Sequence, residues 1–278
     1  MHGMGRRLVG AAVTWVTVLG VVVVAVHPER CPSVSTTEIR AAAEAAVGWF
    51  EANVGSDGRF TYRYDRDLAV EEQGYNDVRH AGVLWSLYQA ESAGIEGAAD
   101  IADRGLDHVD ASMRRTAVGP AFGSGSIVST GASALLVAAL DERVRATGLH
   151  DRDGQLLDLG RTLVATIDPS GAVDARIDVA TGPVVGSRSV FFTGEVLWAL
   201  ARLELRFPGE GFGPEALKVL RYLVKDRDEV ERPFPPASDH WAAYALATMT
   251  EWSRPPLIGD DELAWLDRQL GLFGVQVR

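Results

Sequence analysis

Residues 74–91, GYNDVRHAGVLWSLYQAE, place Asn76, Asp77, Arg79 and His80 at the mouth of a segment whose remaining positions are almost all apolar. Over 78–90 the apolar residues cover nearly every side of a 3.6-residue period, so the spacing predicts a helix buried all round. Segments 131–140, 196–205 and 241–249 share that character. Between them run segments with one wet face. In 38–53, EIRAAAEAAVGWFEAN, apolar residues recur at spacings of three and four, at Ile39, Ala42, Ala43, Ala46, Val47 and Phe50. That is the pattern of an amphipathic helix, and 98–115, 154–166, 214–224 and 260–273 read the same way. Alternating half-wet and buried helices suit a closed ring of helical hairpins, in which inner helices touch neighbours on every flank.

A ring invites a search for a repeat. Residues 58–65, GRFTYRYD, align with 171–178, GAVDARID, sharing glycine, an apolar third position and an Arg-apolar-Asp ending. The same offset of 113 superposes Val83-Leu84-Trp85 on Val196-Leu197-Trp198 without a gap. The unit is two hairpins, outer-inner-outer-inner, used twice, with 260–273 as an extra outer helix. Features common to both copies belong to the fold, so Arg63, Asp65, Arg176 and Asp178 read as structural hydrogen-bonding groups and Trp85 and Trp198 as core.

The N-terminus reads differently. Residues 8–26 are 19 in a row without charge, preceded by Arg6 and Arg7 and followed by His27-Pro28-Glu29-Arg30, long enough for a membrane span. Val23-Val24-Ala25 is a poor signal-peptidase site, which favours an uncleaved anchor over a secreted chain. The basic flank then places the rest outside the cytoplasm. Cys31 is the only cysteine, so disulfides within the chain and cysteine metal sites are excluded. Together these features suggest a bacterial envelope protein. The expected organisation is an anchor or signal segment over 1–30 and one domain over 31–278, in a chain whose 47% hydrophobic residues allow a sizeable core. A net charge of −11 disfavours nucleic acid as partner.

Where the copies differ, a function has room. Tyr75, Asn76, Arg79 and His80 stand opposite Arg188, Ser189, Phe192 and Thr193, and Gly82 opposite Glu195. These differences fall on the first turns of inner helices, which a ring brings together at one end of its axis as a concave site. Glu195 and Asp239 are the candidate acid and base carboxylates, and each has a structural alternative as a helix-start acid. His80 is the candidate proton carrier, and His240 has a structural alternative as a satisfied core histidine. Tyr75, Asn76, Arg79, His240 and Phe192 are candidate substrate-binding residues. Arg79 offers a fork for a carboxylate, or simply neutralises Glu195 or Asp239.

The phrases YNDVRHAGVLWSL, FFTGEVLWALARL and SDHWAAYAL resemble the inner-helix starts of bacterial α/α-toroid proteins, the group of six-hairpin glycosidases, polysaccharide lyases and sugar epimerases. The resemblance covers most of 38–273. It implies an all-α fold, an α/α toroid with about four inner helices and short β segments in its loops, here preceded by one transmembrane helix. It also implies a carbohydrate-active protein that cleaves or epimerises a glycan, which the N-terminal segment would place at the cell membrane; no cofactor is expected. The alternative is a non-catalytic helical scaffold that binds glycan or protein.

Other motifs carry little. Asp151-Arg152-Asp153-Gly154 lacks most of a calcium loop and reads as a helix-starting turn. The glycine-rich 119–131 lacks a phosphate-loop lysine and reads as a flexible rim loop. No metal ligand spacing and no serine elbow is present.

Overall fold

The computed structural model describes residues 2–25, 33–231 and 238–276, with side chains over 10–24, 33–231 and 238–274. The first helix is α1 (His2–Ala25). Among the described residues no helix is long and apolar enough to cross a membrane. This overturns the expected transmembrane helix, and with it the membrane as partner and the single-pass cell-membrane location. The flank His27–Arg30 and Cys31 lie outside the described residues.

The body begins at α2 (Thr36–Ala52), opened by a reciprocal cap in which Ser35 and Glu38 bond each other's backbone, satisfying two otherwise unpaired N–H groups. Then follow α3 (Asp77–Ser92), α4 (Ala98–Ser112), α5 (Thr130–Thr147), α6 (Asp153–Val164), α7 (Phe192–Arg206), α8 (Phe212–Lys225), the short α9 (Arg227–Val230), α10 (His240–Met249) and α11 (Asp260–Gln276). Helices α3, α5, α7 and α10 pack side by side as an inner layer, while α2, α4, α6, α8 and α11 lie against its outside. The ends of the layer, α3 and α10, meet through rings: Trp85 lies 5.9 Å from Trp241 and 6.1 Å from Tyr244.

That junction explains a difference from the expectation that all four inner helices are buried on every side. Helix α5 is buried continuously from Thr130 to Val144 and α7 from Thr193 to Leu203, whereas α3 and α10 bury one face each. Beside that ring contact a cleft, rather than another helix, lies between the two end helices. The architecture is a two-layer helical array with no membrane-spanning helix among the described residues, and it replaces the expected toroid with its transmembrane segment.

Short strands join the helices. Strand β1 (Tyr64–Asp65) pairs with β2 (Val70–Glu71), and β3 (Met113–Thr116) with β4 (Gly119–Phe122). Strands β5 (Ile127–Ser129), β6 (Arg176–Asp178) and β7 (Gly182–Pro183) form an antiparallel sheet in that order. The expected helix over 98–115 therefore stops at Ser112, and most of the expected rim loop is strand β4, strand β5 and the start of α5. Two of its glycines serve the turn between the strands: Gly123 and Gly125 have φ of 150° and 91°, where a side chain would be strained.

Two turns 113 residues apart share their bonds. Gly55 N–H to Arg59 O, Gly58 N–H to Gly55 O and Thr61 N–H to Asn53 O recur as Asp168 to Ala172, Gly171 to Asp168 and Asp174 to Thr166. Asp65 accepts from the N–H groups of Asp67 and Leu68, as Asp178 does from Ala180 and Thr181. Arg63 is exposed and pairs with the exposed Glu72; Arg176 is exposed. These arginines are surface groups, not buried ions.

At the far end of the inner layer an ion cluster ties helices together. Arg202 bonds Asp141 and Glu142, Arg206 bonds Asp141, and Arg143 bonds Asp103 and Asp151. Each buried charge there has an opposite partner, the condition under which such groups are tolerated.

Candidate functional site

The first turns of the inner helices come together because glycines let them. In α5, a Cβ added to Gly131 would collide with the Glu195 carboxyl and the Phe192 ring. In α7, a Cβ on Gly194 would collide with the Asp239 carboxyl. The absence of these two side chains brings the starts of α5, α7 and α10 into contact and seats both acids at helix starts.

Between α3 and α10 opens a cleft of about 560 Å³. Its walls are Val83 and Trp85 of α3 and Trp241 of α10, with Phe50 of α2 and Phe191 at the rim and Leu135 of α5 below. The polar residues lining it are Arg79, Ser86, Glu195 and His240. Gly82 lines it too and faces open space: a Cβ there would meet only a Leu135 methyl, at 3.9 Å. Where the second copy has Glu195, the first has this gap.

Glu195 is 3% exposed and its Oε2 has no hydrogen-bond partner. Burial, then the nearby Asp239 charge, push its carboxyl up to about 8, because ionising an unpaired buried acid forfeits hydration that nothing replaces. Asp239 is fully buried and lines no part of the cleft. Its Oδ2 accepts from Arg227 at 2.8 Å, and its Oδ1 caps α10 by accepting from Ala242 N–H at 3.1 Å. Its own N–H donates to Gln269 Oε1 of α11. Burial pushes the Asp239 carboxyl up to about 6 against the pull of Arg227. The two acids are thus neighbours with different surroundings, one bare in the cleft and one paired behind it.

His240 lines the cleft half-buried, 4.5 Å from the Trp241 ring and 6.5 Å from Phe191. Burial lowers its pKa, so its imidazole is neutral at pH 7 and able to accept a proton. Arg79 is exposed, its guanidinium 5.3 Å from the Tyr62 ring centre, and it pairs with neither Glu195 nor Asp239. Arg227 neutralises Asp239 instead.

His80, Tyr75 and Asn76 stand behind the α3 wall in another arrangement. The Tyr75 hydroxyl donates to His80 Nδ1 at 2.7 Å and accepts from Phe60 N–H, while His80 Nε2 donates to Gly105 O at 3.0 Å. Burial, then His108, lower the His80 pKa to about 4, and burial raises the Tyr75 hydroxyl to about 12. Both ring nitrogens of a neutral histidine are occupied, the position of a structural residue. Asn76 caps α3 by accepting from Arg79 N–H. Phe192 packs on Gly131 and lines a separate depression of about 400 Å³ beside Asp77. There, burial alone would raise Asp77, but bonds from His108 and Ser124 outweigh it and hold the carboxyl below its ordinary value.

Of the eight residues singled out in sequence, Glu195, Arg79 and His240 share the cleft, Asp239 sits behind its floor, and the other four are outside it. Sequence reasoning missed Arg227, Gly131 and the cleft walls. The signal for Gly131 and Gly194 was a glycine inside a helical pattern, which marks close approach; none pointed to Arg227. Among the described residues no three His, Cys, Asp or Glu side chains group as a metal site. The chain matches no protein-family model and no curated protein sequence with which it was compared, so the geometry of this cleft is what speaks to its function.

Proposed function

We propose that the chain acts on a glycan, cleaving or epimerising it, with Glu195 as proton donor and His240 as proton acceptor. The observation that carries this reading is a single unpartnered carboxyl, 3% exposed and raised to about 8, at the base of an aromatic cleft. An acid held protonated at neutral pH beside a base held neutral is a pair whose environments push their pKa values apart, as acid–base chemistry requires. Aromatic walls suit the apolar faces of sugar rings.

In cleavage, the glycosidic oxygen takes the proton of Glu195 as its bond to carbon breaks, and His240 takes a proton from the water that attacks that carbon. In epimerisation the same two groups remove a proton from one face of a carbon and return one to the other. Asp239 has no place in either step as a base, since its oxygens are occupied by Arg227 and Ala242 N–H; its charge sustains the protonated state of Glu195.

That pairing also favours a second reading, a glycan-binding scaffold without turnover. A panel of neutral and acidic oligosaccharides, assayed by mass for products, separates them. Glu195→Gln keeps the fold and lowers turnover a hundredfold or more, as loss of a general acid does. Full activity of Glu195→Gln on any substrate found overturns the catalytic reading, and binding without products establishes the scaffold.

A further inference from the structure

We infer that the ligand of the cleft is an extended saccharide carrying a singly charged oxyanion, which Arg79 takes at the rim; this deepens the glycan reading and rests on it. The charges around the cleft lead there. Glu195 has no cationic partner and is buried, so it enters the cleft uncharged. Asp239 and Arg227 cancel each other behind the floor. His240 is packed among rings and makes no ion pair. Among the described residues Arg79 is left as the one full charge lining the cleft, positive, in a chain of net charge −11.

Arg79 is also placed for recognition. Its backbone is fixed by the Asn76 cap, and its guanidinium lies near the face of Tyr62, 5.3 Å from the ring centre. Such stacking leaves the guanidinium edge and its N–H fork for a planar oxyanion. No acidic side chain occupies that fork among the described residues. A second guanidinium, Arg63, lies 5.7 Å from the centre of the same Tyr62 ring, but it is paired with Glu72.

The length of the ligand follows from what Arg79 separates. A crevice of about 260 Å³, reaching Tyr62, Tyr75 and Trp49, shares Phe50, Arg79 and Val83 with the cleft. The two depressions therefore meet at Arg79. A single ring fills one of them, whereas a chain crossing from crevice to cleft passes its charged group over Arg79 and brings its next linkage toward Glu195.

The test is direct binding by titration calorimetry, on the full chain, of three probes: a glucuronate-containing tetrasaccharide, its carboxyl-reduced counterpart, and a sulfated neutral tetrasaccharide. Wild type binds at least one anionic probe about tenfold or more tighter than the reduced one, the scale of a charge-assisted hydrogen bond. Arg79→Gln removes that preference and leaves the reduced probe unaffected; Arg79→Lys retains only part of it. Preference for the carboxylate or the sulfate identifies the oxyanion. Arg79 is exposed, so its variants fold, which thermal unfolding verifies. Equal binding of all three probes, no binding of either anionic probe, or an equal loss for all three in Arg79→Gln overturns the inference. Glu195-dependent turnover of a neutral glycan in that case leaves the proposed function standing, and Arg79-dependent anionic binding without turnover does the reverse.

Discussion

The glycines show how much a single residue position decides here. Gly194 and Gly82 both sit inside helices, where replacing glycine by alanine ordinarily gains about 1 kcal/mol. At Gly82 a methyl enters open space, so Gly82→Ala stabilises by up to about that amount. At Gly194 the methyl meets the Asp239 carboxyl, held by Arg227 and its own helix, and overpacking costs about 1 to 3 kcal/mol. Thermal unfolding of the two variants is expected to move in opposite directions; parallel shifts mean that Asp239 is not seated against α7. The acid at 195 and the gap at 82 were legible from the repeat, because function had room only where the copies differ. Arg227 was not, since a partner brought from another element leaves no spacing to read. Arg227→Met strips Asp239 of its counter-charge in a fully buried place, and loss of about 3 to 5 kcal/mol in denaturant unfolding is the expected scale.

At the scale of elements, helices were legible where their apolar period was long, and strands were not. Residues 113–116 and 119–122 pair as a tight hairpin of four residues a side, too short for alternation to stand out against the preceding helical pattern. The buried character of α3 was overread for a related reason. Apolar residues that line a cleft and apolar residues that fill a core have the same sequence. This distinction revises what the two repeat tryptophans are worth. Trp198 is 3% exposed and stacks on Trp241 at 5.5 Å, so Trp198→Ala should cost about 3 to 5 kcal/mol, as buried aromatics do. Trp85 is half-buried on the cleft wall with its indole nitrogen unpartnered, so Trp85→Ala should cost clearly less and instead weaken saccharide binding. Equal destabilisation by both would place Trp85 in the core and remove it from the cleft.

For the whole molecule the buried titrating groups give stability a pH dependence with two limbs. His80 is neutral in the folded chain down to about 4, while in the unfolded chain it takes a proton below about 6.5. The unfolded state then binds more protons, so this contribution is lost as pH falls from 6.5 toward 4. Glu195 has the opposite sign. Folded, it keeps its proton up to about 8; unfolded, it ionises above about 4.5. The folded state's Glu195 binds more protons between those values, so this contribution to stability declines as pH rises through them and levels off above 8. Glu195→Gln cannot ionise and lacks this decline. The stability of the wild type relative to Glu195→Gln should therefore fall steadily from about pH 4.5 to about pH 8, by a few kcal/mol in total, and stay constant beyond. Urea unfolding of both proteins across that range measures it without any substrate. A difference independent of pH means that Glu195 is ionised in the folded state at neutral pH, and a carboxylate already ionised there cannot supply the proton that the proposed chemistry asks of it.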